Sequence, residues 1–418
     1  MPADTNDFRR VLAGEGISNF GSMLSRLALP WLATLALAAT PLQMALLLVA
    51  DVAAGAAGAL FLGTLVDRLP KRSVMIVTDL ARAGVLGGLA MLAMAQLLSI
   101  WLLAAAAALT GLFSVAFELA RSAWVAQSVE AARLPARNAQ LSAMGSASET
   151  LAFALGGWLY QLLGAVLALG VDAMSYLLSA ACLWGVRSGR GATTQRAGPE
   201  GAAGEPPIDH EPRASRRFLD ETLSGIAVIR ATPQLRALAT LEILLAVAGS
   251  IAGTSYMIYV ARDLAFGTGA LGMIFATGGL GALAGAALAP RLGRRVGSGN
   301  AMTIGLVLGA LGTLCIRLAP GATLLSAALL VAHQLVGDGG MTMFDVHDRT
   351  LRQTVVAPEL LARVDGGLRS LGRLATLLGA LGGGWLATAF GARFAMVVMV
   401  ALLVVAAAVA HHRLRHQR

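Results

Sequence analysis

Gly63-Thr64-Leu65-Val66-Asp67-Arg68-Leu69-Pro70-Lys71-Arg72 places one acid, three bases, a glycine and a proline between two long apolar runs. An apolar run of about 20 residues crosses a bilayer as a helix, because its backbone polar groups find no partners there except one another. A short charged segment between two such runs is then a turn at the membrane surface. Extending this reading in both directions gives about twelve apolar spans, the first over about residues 11–37 and the last over about residues 391–410.

Composition agrees. The 418 residues are 57% hydrophobic and 13% charged, with a mean hydropathy of +0.72. A soluble domain of this length cannot bury so much apolar surface, so lipid is the expected solvent. A formal net charge of +9 and a pI near 10.8 would point to nucleic acid in a soluble chain, but here the bases collect on alternate loops. Arg9 and Arg10, Arg68/Lys71/Arg72, Arg133 and Arg137, Arg291/Arg294/Arg295, the stretch from Arg349 to Arg373, and Arg413/Arg415/Arg418 form one set; Arg262, Arg317 and Arg393 dominate the other. The positive-inside rule puts the first set, both termini and the central linker in the cytoplasm, and no nucleic-acid partner is expected. Cys182 and Cys315 fall within spans, which argues against a disulfide framework or a thiolate metal site. Arg far outnumbers Lys, with Lys71 the only lysine, a bias that points to a bacterial source and hence to the inner membrane.

Residues 187 to about 217 are rich in Gly, Pro, Ala, Arg and Glu and lack an apolar period, so they read as a linker. Phe218, Leu219, Leu223, Ile226 and Ile229 then recur at helical spacing, which predicts a short amphipathic helix along the inner membrane surface. The chain is thereby divided into 1–186, a linker over 187–231, and 232–418. The two flanking parts repeat each other: Gln127, Ala136-Arg137 and Gly156-Gly157-Trp158-Leu159 return as Gln353, Ala362-Arg363 and Gly383-Gly384-Trp385-Leu386. Pro290-Arg291-Leu292-Gly293-Arg294-Arg295 echoes Asp67 to Arg72 without the aspartate. The expected fold is an all-α membrane protein, twelve helices in two six-helix bundles with a midplane site between them. Gly84/Gly88, Gly281/Gly285, Gly305/Gly309 and Gly379/Gly383 stand at the spacing that lets helix backbones approach closely.

The Gly63 to Arg72 segment resembles the signature between helices two and three of the major facilitator superfamily. Ala28-Leu29-Pro30-Trp31, Asp79 and Arg82, Val171-Asp172-Ala173-Met174-Ser175-Tyr176, and Thr350-Leu351-Arg352-Gln353 with Pro358 and Ala362-Arg363-Val364 narrow the resemblance to the branch holding macrolide efflux proteins and the enterobactin exporter. The resemblance implies outward, proton-driven antiport of a bulky or amphiphilic compound by alternating access, in a protein that works as a monomer. It also places Asp79 and Asp172 near helix ends, in structural roles.

An ionisable group inside a membrane costs about 2.5–3.5 kcal/mol, so each one invites a functional reading. Arg26 and Asp51 lie at matching depth, about 24 Å and about 22 Å from the same side at 1.5 Å per residue, and are expected to face each other as a proton relay or a static ion pair. Glu149, about 17 Å deep, suits a proton carrier, a binder of cationic drugs, or simply a residue of a wet cavity. Glu15, Asn19, Ser22 and Ser25 give the first span a polar stripe, as a helix lining the substrate cavity or a proton path needs, or, for the serines, as hydrogen bonds between helices would, and Glu242 is the matching acid of the second half. Asp338 and Asp345 are candidates for the cavity wall. Gly63, Asp67, Arg68, Lys71 and Arg72 are assigned to gating, the bases holding partners across the cytoplasmic mouth in one state and losing them in the other.

Other chemistries lack their residues. His333, Asp338, Asp345, His347 and Asp348 have no His-Glu-x-x-His spacing, Gly279-Leu280-Gly281 lies in an apolar helix rather than after a strand, and no phosphate-binding Gly-x-x-x-x-Gly-Lys-Ser/Thr loop occurs. No enzyme, metal or cofactor is expected; the expected partners are a small-molecule substrate, protons and the bilayer. The Ala- and Gly-rich spans favour amphiphilic substrates such as a drug, a macrolide-like compound or a siderophore. A lipid-related substrate, import on the same fold, and a non-transporting sensor that uses the linker are the alternatives.

Overall fold

A computed structural model describes residues 5–130, 133–186 and 224–415, and these are almost entirely helical. In chain order the long helices are α1 (Thr5–Trp31), α2 (Pro41–Arg68), α3 (Lys71–Met94) and α4 (Ile100–Ser128). Leu134–Trp184 is bent at Gly164, where φ is 73°, into α5 (134–163) and α6 (165–184). The second half runs through α7 (Pro233–Ile258), α8 (Thr268–Val296), α9 (Ser298–Leu318), α10 (324–355), α11 (Pro358–Phe390) and α12 (Ala392–Leu414). Nine helical stretches among the described residues are long and apolar enough to cross a membrane. The chain is an all-α, multi-pass membrane protein.

The helix starts follow local chemistry. Thr40 and Gln43 form a reciprocal capping box at α2, with Pro41 in the first turn, and Ser99 and Thr323 cap α4 and α10. Proline opens α5, α7 and α11, where its missing N–H has no carbonyl to serve. The internal repeat reaches the backbone as well. The π-helical turns Leu32–Ala36 and Tyr259–Asp263, the positive φ of Ala38 and Ala265, and that of Gly164 and Gly391 each recur 227 positions apart. The turn ending α10's first segment, His333–Asp338, is also π-helical and continues into a helix ending at Val355.

Packing differs between the two faces. On the face away from the termini one buried apolar cluster joins both halves: Ala28, Trp31, Leu86, Leu103 and Leu169 with Tyr259, Leu264, Phe275, Ile316 and Leu330. Toward the terminal face the apolar cores are separate. Phe8, Val66, Met75, Phe117, Trp124 and Leu183 make one within α1–α6, while Leu238, Leu306, Phe344, Val364 and Leu414 belong to another within α7–α12. The described halves share a buried apolar core at one face and have separate ones at the other.

Three of the four glycine pairs pack as expected. A Cβ on Gly281 or Gly285 would strike the backbone of α10, one on Gly305 the same helix from α9, and one on Gly379 or Gly383 the backbone of α7. Gly84 and Gly88 do not: a Cβ on either meets nothing within 4 Å, and both are exposed, because that face of α3 turns away from its neighbours. The helix foreseen before α7 is seen over residues 224–231 and docks on the second half. Ile229 is buried in the second-half core, and Gly225 rests on the Arg363 carbonyl of α11. Phe218, Leu219, Leu223 and the linker up to residue 217 lie outside the described residues.

Candidate functional site

The joint between the halves sets the depth of everything beneath it. Gly253 of α7 packs on Leu48 of α2, and Gly384 of α11 on Ala45, Pro41 and Leu42. At the far rim, Arg262 of the second π turn donates 2.7 Å to the Thr34 carbonyl of the first. Arg393 reaches the Tyr259 hydroxyl at 3.4 Å. Asp51 follows Leu48 by one helical turn, directly below this closure, and is exposed. Its carboxylate packs over Gly111 of α4, where a Cβ would come within 2.7 Å of Oδ1. Arg26 is exposed just below the joint-forming Ala28; it is the cation that acts electrostatically on Asp51, yet no ion pair within 4 Å joins the two among the described residues. The two residues share a level, as the spacing predicts, without touching.

Below them the halves treat charge differently. In the first half Glu15 pairs with Arg121 of α4, Asn19 is half-buried on α1, and Ser148 of α5 donates to the Gly16 carbonyl at 2.9 Å. Glu15 of the polar stripe of α1 is thus spent on α4. Ser22 meets the Tyr176 hydroxyl at 2.8 Å. Deeper in the bundle, Arg82 pairs with Asp79 and is stacked between the rings of Phe117 and Tyr176, 4.7 Å and 4.2 Å from their centroids. Asp172 lies beside this pair, holding the Ser175 hydroxyl at 3.1 Å. Asp79 and Asp172 are both fully buried. They lie about 12 Å from the start of α3 and about 10 Å from the start of α6 at 1.5 Å per residue, about two turns in from the nearer ends.

In the second half a cavity of about 440 Å³ opens between α7, α10 and α11, with Glu242, Asp345, Arg349, Arg352, Arg369 and Arg373 among its lining. Arg352 is held by Asp348 and, at 3.3 Å, by Asp365. Glu242, Asp345, Arg349, Arg369 and Arg373 have no ion pair within 4 Å among the described residues. Arg373 stands about 22 Å along α11 from Pro358, too far in for a charge that merely marks the cytoplasmic side. The sequence reading counted it with the topology-setting bases. The signal that separates it is its depth past Pro358.

The gating segment is only partly described: the side chains of Asp67 and Glu149 lie outside the described residues. Arg68 is exposed. Contacts seen for Lys71 and Arg72 include carbonyls of their own half. Lys71 donates to the Val66 carbonyl at 2.7 Å; Arg72 donates to the Leu183 carbonyl at 3.1 Å and also to that of Trp184. Arg10 of α1 holds the Gly185 carbonyl. The last carbonyls of a helix lack intrahelical donors and carry its negative end, so two arginines close the end of α6. A Cβ on Gly63 would meet nothing within 4 Å. Among the described residues no group of His, Cys, Asp or Glu is arranged to hold a metal ion, and both cysteines are free.

The sequence pattern described as Major Facilitator Superfamily matches residues 11–364. YfiS of Bacillus subtilis (strain 168), an uncharacterized MFS-type transporter, is 26% identical over 403 residues, covering 94% of this chain and 90% of its own. The nucleoside transporter NupG is similar in fold, with a TM-score of 0.73 at 13% identity over 99% of this chain and 100% of its own. A bacterial homologue of the iron transporter ferroportin, 18% identical, gives a TM-score of 0.67 in its inward-facing state and 0.53 in its outward-facing state, each over 97% of this chain and 98% of that one. At such identities the structural likeness speaks for the fold alone.

Proposed function

The chain belongs to the Major Facilitator Superfamily, and we propose that it exports an amphiphilic small molecule by proton antiport with alternating access, in the manner of the macrolide-efflux and enterobactin-exporter branch. It is a membrane transporter and not an enzyme. The observation that carries the reading is the pair of separate cores at the terminal face beneath one shared core at the other. Two repeated halves joined at one end only have a counterpart arrangement joined at the other end, and exchanging the two moves a bound molecule across. Positive-inside charge makes the open face cytoplasmic. Opening toward the cytoplasm is the loading state of an exporter.

Proton coupling is assigned to Asp51 with Arg26. Asp51 lies at the roof of the open side, one turn below the closure, where a change of its charge acts on the contact between α2 and the second half. In the cycle, a proton taken from outside neutralises Asp51, frees Arg26 and favours return to the open-inward arrangement. Gly63 to Arg72 gates the cytoplasmic mouth: Lys71 and Arg72, turned toward their own half here, find partners across the mouth when it closes.

The test is uptake of labelled amphiphilic drugs and a catecholate siderophore into inside-out vesicles, with and without a proton gradient. Gradient-driven uptake of one compound, lost in Asp51→Asn, is the expected result. Uptake by the variant with unaltered pH dependence would remove Asp51 from the coupling, and substrate accumulation in whole cells would reverse the direction.

A further inference from the structure

The cavity between α7, α10 and α11 carries charges of both signs that the protein leaves unmatched. Arg369 and Arg373 project from α11, four residues apart and therefore on one helix face. Glu242 comes from α7 and Asp345 from α10, and all four line the same space. Glu242 is pressed against α11 at Gly372, where a Cβ would come within 2.5 Å of its Oε1; any larger residue there would displace the acid. Ionised groups within a membrane normally pair or face water. The neighbouring Arg352 shows that this wall can pair charges when the positions suit, since Asp348 and Asp365 both hold it. Glu242, Asp345, Arg369 and Arg373 are instead held apart around a volume of about 440 Å³, within the range of small-molecule sites. Leu245, Met341 and Phe344 supply apolar wall beside them.

We infer that this cavity receives the zwitterionic head group of the transported amphiphile, its anion on Arg369 and Arg373, its ammonium on Glu242 and Asp345, and its apolar part against Leu245, Met341 and Phe344. The inference rests on the transport reading above and narrows the substrate class. A purely anionic head would leave two acids facing it, and a purely cationic one would face the arginines. A head with both signs satisfies both walls. The corresponding acid of the first half shows the contrast: Glu15 is buried and already has Arg121 as its cation. The same head-group chemistry is presented by a soluble substrate and by a bilayer lipid.

The experiment uses the full chain in phosphatidylglycerol nanodiscs, titrated calorimetrically with decylphosphocholine, decyl phosphate, decyltrimethylammonium and decyl maltoside. The zwitterion is expected to bind more tightly than each of the others by about tenfold or more, the worth of one charge-assisted hydrogen bond. R369Q/R373Q and E242Q should each abolish that preference. Equal affinity for the anion or the cation, or an unchanged preference in both variants, overturns the inference; should the variants not assemble, the wild-type series decides it. Replacing half the phosphatidylglycerol with phosphatidylethanolamine separates the two sources: unchanged affinity assigns the site to a soluble substrate, competitive loss to a lipid head group. Vesicle transport without any zwitterion preference would sink this inference and leave the transport reading, whereas a clear preference in a protein that moves nothing would do the reverse.

Discussion

The two halves share a backbone plan and use their charges in opposite ways. Glu15 and Glu242 stand 227 positions apart, the spacing at which the two π turns recur. Glu15 is buried and paired with Arg121; Glu242 lines a cavity with Arg369 and Arg373 nearby and no ion pair of its own. Deeper in the first half, Arg82 is gripped by Asp79 and two aromatic rings. Duplication fixes where a residue stands on its helix, but the neighbour across the interface decides whether it is structure or site. The first half behaves as a braced body, and the second holds its polarity in reserve for something that arrives.

Removing the brace gives the largest expected effect. Arg82→Leu leaves Asp79 and Asp172 buried without their cation, a loss of about 3–5 kcal/mol, to be seen as a collapse of the detergent-solubilised melting temperature. Arg373→Gln, by contrast, should leave the melting temperature nearly unchanged while transport falls. Equal destabilisation by the two would erase the contrast between the halves. The paired acids sharpen it next: Glu15→Gln strands Arg121 and should cost about 1–3 kcal/mol, whereas Glu242→Gln should remain within about 0.5 kcal/mol of wild type, both by thermal melting. At the closed rim, Arg262→Ala removes the bond to the Thr34 carbonyl, and cysteine labelling from the outside should rise about tenfold if that bond is worth about 1.5 kcal/mol. The smallest stability effect is expected at Gly63→Ala, since open space surrounds the position. A normal melting temperature with impaired transport would show that the glycine is needed only when the mouth is shut.

Much of this was legible before any coordinates. Apolar spans, the turn at Gly63 to Arg72 and the repeat through Gln127 and Gln353 led to the helical membrane fold, because lipid forces each span to satisfy its own backbone. Helical rise alone put Arg26 and Asp51 at one level. The glycines were read with less success: Gly281 and Gly285 meet a partner backbone while Gly84 and Gly88 meet nothing, though the spacing is identical. Spacing names a face of a helix and says nothing about what stands opposite. The same blindness placed Arg373 among the topology-setting bases and left Glu15 as a cavity residue.

What the sequence by itself determined is therefore one-dimensional: which segments enter lipid, how deep each charge lies, and that the chain is two copies of one plan. Those properties follow from hydrophobicity, helical rise and internal similarity, each of which is read along the chain. Only the tertiary structure decided which charges cancel and which remain open, that the halves share a buried core at one face and not at the other, and that Arg10 and Arg72 close the end of α6. Ion pairing falls off within a few ångströms and packing within fewer, so both depend on neighbours from distant parts of the chain that no local pattern specifies.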